Sequence, residues 1–271
     1  IIGESYYRTS RYKESLPFLE KYKSYMSYLR RPEWYQLGYA YYKTADYTKA
    51  IECFPNATSD KDTVAQNAYY HLGDCYVQLS GKSAGQGTKV LAKNSFEMAY
   101  KINFDKAIAE DALFNYAKLS YGLSFSPFND AITSLNQYIS SYPNSPRLDE
   151  CYKYLVNVYL TTKNYRDAMK SIENMKSLNE EMQTAYQKIA FMRGLQLYVD
   201  NHLQEAIIYL NKSLTYPSNR NFVSLAHYWK GESYYQLSEK AGISFGLDSA
   251  IAGYKFFLSS PGAINNNEFF A

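Results

Sequence analysis

The sequence is poor in the residues that carry most catalytic and metal-binding chemistry. Its 271 residues include three cysteines and three histidines. Cys53, Cys75 and Cys151 form no C-x-x-C pair and have no histidine at ligand spacing, so they read as buried thiols. Their odd number argues against a disulfide framework. His71, His202 and His227 lie far apart, outside any H-E-x-x-H pattern, and read as packing or surface residues. No G-x-S-x-G elbow is present. The stretch from Gly81 to Lys89 has the look of a phosphate loop, but Gln86 stands where the second glycine is required. We therefore expect no catalytic residue, no metal site and no cofactor. No apolar run approaches the roughly 18 residues that span a bilayer. The net charge of +3 is small and the charges are scattered, which leaves no footprint for nucleic acid.

What the chain has in quantity is tyrosine, 31 residues of it. Many of these belong to a repeating pattern that is clearest from Trp34 to Ala57. Trp34, Leu37, Gly38 and Tyr41 share one face of a helix. Asp46 is placed to cap a second helix, on which Ala50, Phe54 and Ala57 share a face. A glycine inside a helix is unfavourable unless a neighbouring helix comes close to it. The spacing predicts two short helices packed small against large.

The pattern recurs. Gly3 and Tyr6 with Ser15, Leu19 and Tyr22 form a first copy. Tyr69, Leu72, Gly73 and Tyr76 with Ala92, Phe96 and Ala99 form a third, with a turn-rich insertion from Ser80 to Thr88 between the helices. The fourth has Leu113, Tyr116, Ala117 and Ser120, then Ala131, Leu135 and Tyr138, with Pro127 in the turn between them. The fifth has Tyr152, Leu155, Val156 and Tyr159, then Ala168, Ile172 and Met175. The sixth has Gly194 and Leu197, then Ala206, Leu210 and Ser213. The seventh has Gly231 and Tyr234, then Ala250, Tyr254 and Phe257, with a loop from Ser238 to Asp248 and a closing Pro261.

This resembles the tetratricopeptide (TPR) pattern W-x2-L-G-x2-Y…A-x3-F. The glycine-bearing insertions bear some likeness to the related Sel1-like repeats. The resemblance implies an all-α fold, a right-handed solenoid of antiparallel helix pairs, here one segment over residues 1–271 with about seven repeats. The first repeat begins halfway through its first helix, and Asn265 to Ala271 reads as the start of another. The segment is therefore expected to belong to a longer array and to self-associate through uncapped ends.

In TPR proteins the first helices line a concave face. The family implies that residues one, five and eight after the tryptophan slot point into that groove. Those that could contact a partner are Tyr35, Tyr39, Tyr42, Tyr70, Phe114, Lys118, Tyr121, Lys153, Asn157, Phe191, Tyr198, Tyr228 and Tyr235. Aromatic groups with a few charges suit peptide recognition. The same stripe could instead pack one first helix against the next. Lys153 and Asn157 resemble half of the carboxylate clamp of chaperone-binding TPR domains, but Leu195, Tyr228 and Glu232 stand where it would continue.

The expected function is a non-enzymatic scaffold that binds a protein or peptide segment in the aromatic groove. The alternative is a glycan-binding or polysaccharide-export scaffold, since tyrosine faces also stack on sugar rings. The linker Tyr142 to Pro146 is similar to linkers in TPR proteins of the Gram-negative envelope. It points to a periplasmic or outer-membrane-associated location, with the cytoplasm as the alternative.

Overall fold

A small-against-large contact recurs along the chain. The computed structural model describes residues 1–81, 85–123, 129–241, 244 and 246–260. In it, a Cβ added to Gly38 would stand 3.0 Å from the Phe54 ring, and one on Gly73 3.1 Å from Phe96. Gly194 faces Leu210 at 2.8 Å and Gly231 faces Tyr254 at 3.1 Å in the same way. These are the glycine slot and the large-residue slot of the sequence pattern. In the first repeat the nearest atom to Gly3 is Phe18 Cβ at 2.8 Å, with Leu19, the expected partner, at 3.4 Å. Ala117 and Val156 fill the slot in the fourth and fifth repeats, and both are fully buried.

The described residues are helical and contain no strand. They form seven helix pairs: α1 (Ile2–Arg8) with α2 (Tyr12–Tyr25), α3 (Arg31–Lys43) with α4 (Tyr47–Cys53), α5 (Thr63–Ser80) with α6 (Gly85–Ile102), and α7 (Lys106–Leu123) with α8 (Asn129–Ser141). Then follow α9 (Leu148–Thr161) with α10 (Tyr165–Glu173), α11 (Glu180–Val199) with α12 (Leu203–Ser213), and α13 (Arg220–Ala241) with α14 (Leu247–Ser259). The chain divides into two compact units, Ile1–Ser145 and Pro146–Ala271. Within the first unit α3 lies beside α5 and α5 beside α7; within the second α11 lies beside α13.

The turn inside a pair has a repeated geometry. Ser10, Ala45, Lys163 and Asn201 each stand two residues before a second helix, with φ of 60°, 61°, 56° and 64°. A left-handed residue there reverses the chain within a few residues. Asp46 and Asn164 then cap their helices by accepting from the amides of Lys49 and Asp167.

Three element boundaries differ from the sequence reading. The second helix of the second repeat is α4 followed by a 3-10 turn, Phe54–Ala57, because Pro55 has no N–H to continue the α-helical ladder. The insertion read as a loop is helical from Gly85 onward, so it lengthens the helix instead of looping out. In the seventh repeat α13 runs on to Ala241, past the start of the expected loop. Pro127, Pro261, part of the Ser80–Thr88 insertion (residues 82–84) and the segment Asn265 to Ala271 lie outside the described residues.

One device joining successive repeats was not read from the sequence. Gln66 and Gln187 are fully buried, each three residues before the tryptophan slot. Gln66 donates to the Asp105 carbonyl at 2.9 Å and accepts from the Asp105 amide at 2.7 Å. Gln187 does the same with Asn219, at 3.1 and 2.7 Å. Each pair of bonds satisfies backbone groups where the chain enters the next first helix. Arg31, at the equivalent position, donates to the Ala57 carbonyl and pairs with Asp62 at 2.8 Å and Asp60 at 2.6 Å. The Arg31 guanidinium holds the Asp62 carboxyl down to about 2.

Candidate interaction surface

The second stripe of the first helices is best developed in the first unit. Tyr35 and Tyr39 on α3 stack with centroids 5.8 Å apart. Tyr7 and Tyr12 of the preceding pair meet Tyr39 edge-on at 6.1 and 5.6 Å. His71 on α5 lies 4.9 Å from Tyr39 and 4.8 Å from Tyr42, and Tyr70 meets it edge-on at 5.4 Å. Lys43 sits over the rings of Tyr39 and Tyr42. Tyr35, Tyr39, Tyr42 and Tyr70 are all half-buried.

Two hydroxyls of this stripe are tied to the next first helix. Tyr42 donates to Asp74 at 2.6 Å, and Tyr70 donates to Asp111 at 2.5 Å. Asp111 also accepts from Asn115 at 2.9 Å. Burial, then the Asp74 carboxylate, push the Tyr42 hydroxyl pKa up. Burial and the neighbouring tyrosines push Tyr35 up. His71 is driven down to about 4, mainly by burial, with Asp74 opposing and Lys43 assisting. It is neutral at pH 7, and its Nδ1 is shielded without a partner among the described residues.

The stripe is graded in depth. In the fourth and sixth repeats the residue one after the tryptophan slot is buried, beside the fold-building face. Phe114 is 7% exposed and packs on Tyr138 at 5.4 Å; Phe191 is 0% exposed and packs on Phe222 at 5.0 Å. Neither presents a ring to a partner, which corrects the sequence reading at these two positions. Lys118 is exposed near the Phe114 ring, and Tyr121 is half-buried.

In the second unit the stripe is more polar. Lys153 is paired with Glu181 at 2.6 Å, and Asn157 is half-buried. Tyr198 accepts from Gln236 at 2.6 Å and packs on Trp229 at 4.9 Å. Tyr228 is enclosed by Trp229, Tyr254 and Phe257. Tyr235 is exposed and donates to Glu239 at 3.4 Å. His227 stacks on Phe256 at 3.8 Å, and His202 precedes α12. Cys53, Cys75 and Cys151 are buried free thiols, their pKa values raised by burial to about 11, 12 and 12. Among the described residues no three His, Cys, Asp or Glu side chains converge in a metal-binding group.

Residues 34–59 and 111–145 each match a tetratricopeptide repeat model. The chain contains tetratricopeptide repeats. TPR arrays generally mediate protein–protein interaction and are typically non-enzymatic scaffolds. Similar solved structures include the C-terminal part of a TPR repeat-containing protein from Cytophaga hutchinsonii, 16% identical over 97% of each chain, with a TM-score of 0.47. Another is the TPR2AB-domain:pHSP90 complex of yeast Sti1, 16% identical over 98% of this chain and 90% of that one, with a TM-score of 0.46. A third is a tetratricopeptide repeat protein from Parabacteroides merdae, 16% identical over 85% of this chain and 81% of that one, with a TM-score of 0.38. No curated protein matches. No described helix is long and apolar enough to cross a membrane.

Proposed function

We propose that this TPR chain captures an extended or helical segment of a protein partner on the first-helix face of its first unit. The contact residues are Tyr35, Tyr39, Tyr42 and Tyr70, with Lys118 at the edge. The observation that carries this reading is the pair of hydroxyl-to-carboxylate bonds, Tyr42 to Asp74 and Tyr70 to Asp111. They hold half-exposed rings in one orientation before a partner arrives. Rings fixed in advance lose little conformational freedom on binding, and aromatic anchors of this kind dominate interface energetics. Phe114, buried beside Lys118, is not part of them.

The test is a selection of the purified chain against a displayed peptide library and, in parallel, against a glycan array. The proposal expects enrichment of peptides whose binding is lost on Tyr70→Ala. Binding confined to the glycan array would replace the protein partner with a carbohydrate, and enrichment of neither would end the proposal. Self-association belongs to the same reading, since Ile2, Phe18, Tyr22 and Tyr25 are exposed apolar side chains on α1 and α2. Sedimentation that stays monomeric up to high protein concentration would remove that part.

A further inference from the structure

A cleft in the second unit takes no part in the aromatic face. It lies between the start of α10 and the second half of α11. Two overlapping hollows of about 520 and 400 Å³ share Tyr165, Arg193 and Gln196. Arg193 stands three residues after Ala190, in the slot where Leu37, Leu72 and Leu155 are 2%, 6% and 1% exposed. Arg193 is itself half-buried, and those of its five donors that lose water need acceptors. Arg193 has one long bond, Nη1 to Gln196 Oε1 at 3.4 Å, and rests near the Tyr209 ring. Its Nε is shielded from solvent and has no acceptor among the described residues. Lys163 and Arg166 line the same hollow, are exposed, and form no ion pair among the described residues.

Two carboxylates also border the cleft. Asp167 is engaged by the Asn164 side chain at 2.8 Å, and Asp200 follows the end of α11. Three cations therefore face two carboxylates, neither of them paired with Arg193. Part of the lining is apolar: Met192, Leu195 and Val199 on α11, the last 75% exposed.

We infer that this cleft binds an acidic segment of a protein partner. A glutamate or aspartate carboxylate joins the fork of Arg193 to Arg166 or Lys163, and an adjacent apolar side chain covers Met192, Leu195 and Val199. The planar guanidinium matches a carboxylate with two parallel bonds. The apolar wall selects a peptide over a small anion, which would leave that wall in water.

The probe is a fluorescein-labelled octapeptide alternating leucine and glutamate, read by anisotropy. Its controls are the leucine–glutamine counterpart and inorganic phosphate as competitor. The glutamate peptide is expected to bind at least about tenfold more tightly than the glutamine peptide. Arg193→Leu is expected to lose at least that factor while melting no lower than wild type, since leucine is what three other repeats hold there. In wild type, the Arg193 ¹⁵Nε–¹H signal should move on adding the glutamate peptide, a readout that survives any failure of the variant to fold. Equal binding of the two peptides, an unmoved Nε signal, or wild-type affinity in a folded Arg193→Leu would each overturn the inference. Full displacement of the peptide by equimolar phosphate would assign the cleft to a free anion instead. Tyr70→Ala should leave this binding unchanged, so either site can fail alone.

Discussion

In the first unit the slot three residues after the tryptophan position holds Leu37 and Leu72, both buried, and the half-buried Tyr116. In the second it holds Leu155, then Arg193 and Lys230. The surfaces differ in the same sense. In the first unit two hydroxyls of the aromatic stripe are matched inside the protein, Tyr42 by Asp74 and Tyr70 by Asp111. In the second, Arg193 keeps donors without acceptors, and burial lowers the pKa of the half-buried Lys230. The repeat tolerates a cation in an apolar slot when the glycine contact beside it is kept: Gly194 and Gly231 still meet Leu210 and Tyr254. The glycine contact and the residue beside it thus vary separately on one helix.

The largest expected effect lies at a glycine of the second unit. A Cβ on Gly253 would meet the His227 carbonyl oxygen at 2.6 Å and Gly231 Cα at 3.2 Å, so two backbones touch. Gly73 faces only the Phe96 ring, at 3.1 Å, and a ring can turn. Gly253→Leu should destabilise by about 3 kcal/mol or more, and Gly73→Leu by roughly 1–3 kcal/mol. Denaturant midpoints give the order, and the reverse order would break the comparison.

Next come the buried glutamines, one in each unit. Gln66→Leu and Gln187→Leu each strand an amide and a carbonyl, at a cost of roughly 2–3 kcal/mol. Both should lower the melting temperature by similar amounts. A neutral substitution in either unit would mean water replaces the side chain there.

His71 sharpens the comparison through pH. Its folded pKa is depressed from 6.5 to about 4, so the native state resists the proton that the unfolded chain accepts. Its contribution is fully present above pH 6.5 and is lost as pH falls from there toward 4. The loss should reach roughly 2–3 kcal/mol. His71→Phe should flatten the slope of stability over that window. His227 is depressed too, in the second unit, so the variant difference isolates His71. An unchanged slope would place His71 in water. The smallest effect is at Lys230: Lys230→Leu should stabilise by about 0.5–1 kcal/mol, seen as a small rise in melting temperature.

The helix pairs were legible in the sequence because each needs a small residue facing a large one at fixed spacing, as Gly38 faces Phe54. The first-helix stripe was legible as a set of positions but not in depth. Position one lies around the helix next to the fold-building face, and Phe114 and Phe191 sink there once Tyr138 and Phe222 arrive from sequence-distant helices. Gln66 and Gln187 were missed because a helical glutamine ordinarily reads as a surface residue, and its backbone partners lie 39 and 32 residues away. The run Gly85-Gln86-Gly87 read as a loop, yet it forms the first turn of α6, where glycine costs a helix less than in its interior. Arg193 in its leucine slot was passed over in the sequence reading, because the open cleft that gives it meaning forms only in the fold.

The central claim is that the rings of the first unit serve a partner as well as the fold. Tyr39 touches Tyr7, Tyr12, Tyr35, Tyr42 and His71, so Tyr39→Ala should lower the melting temperature as well as weaken binding. The deciding measurement is the affinity of a library-selected peptide for Tyr39→Ala, taken well below the variant's melting temperature so that the folded fraction is unchanged. The account predicts a loss of about thirtyfold or more, as for an aromatic anchor worth ~2 kcal/mol. Wild-type affinity alongside a large fall in melting temperature would show that the stripe is packing alone.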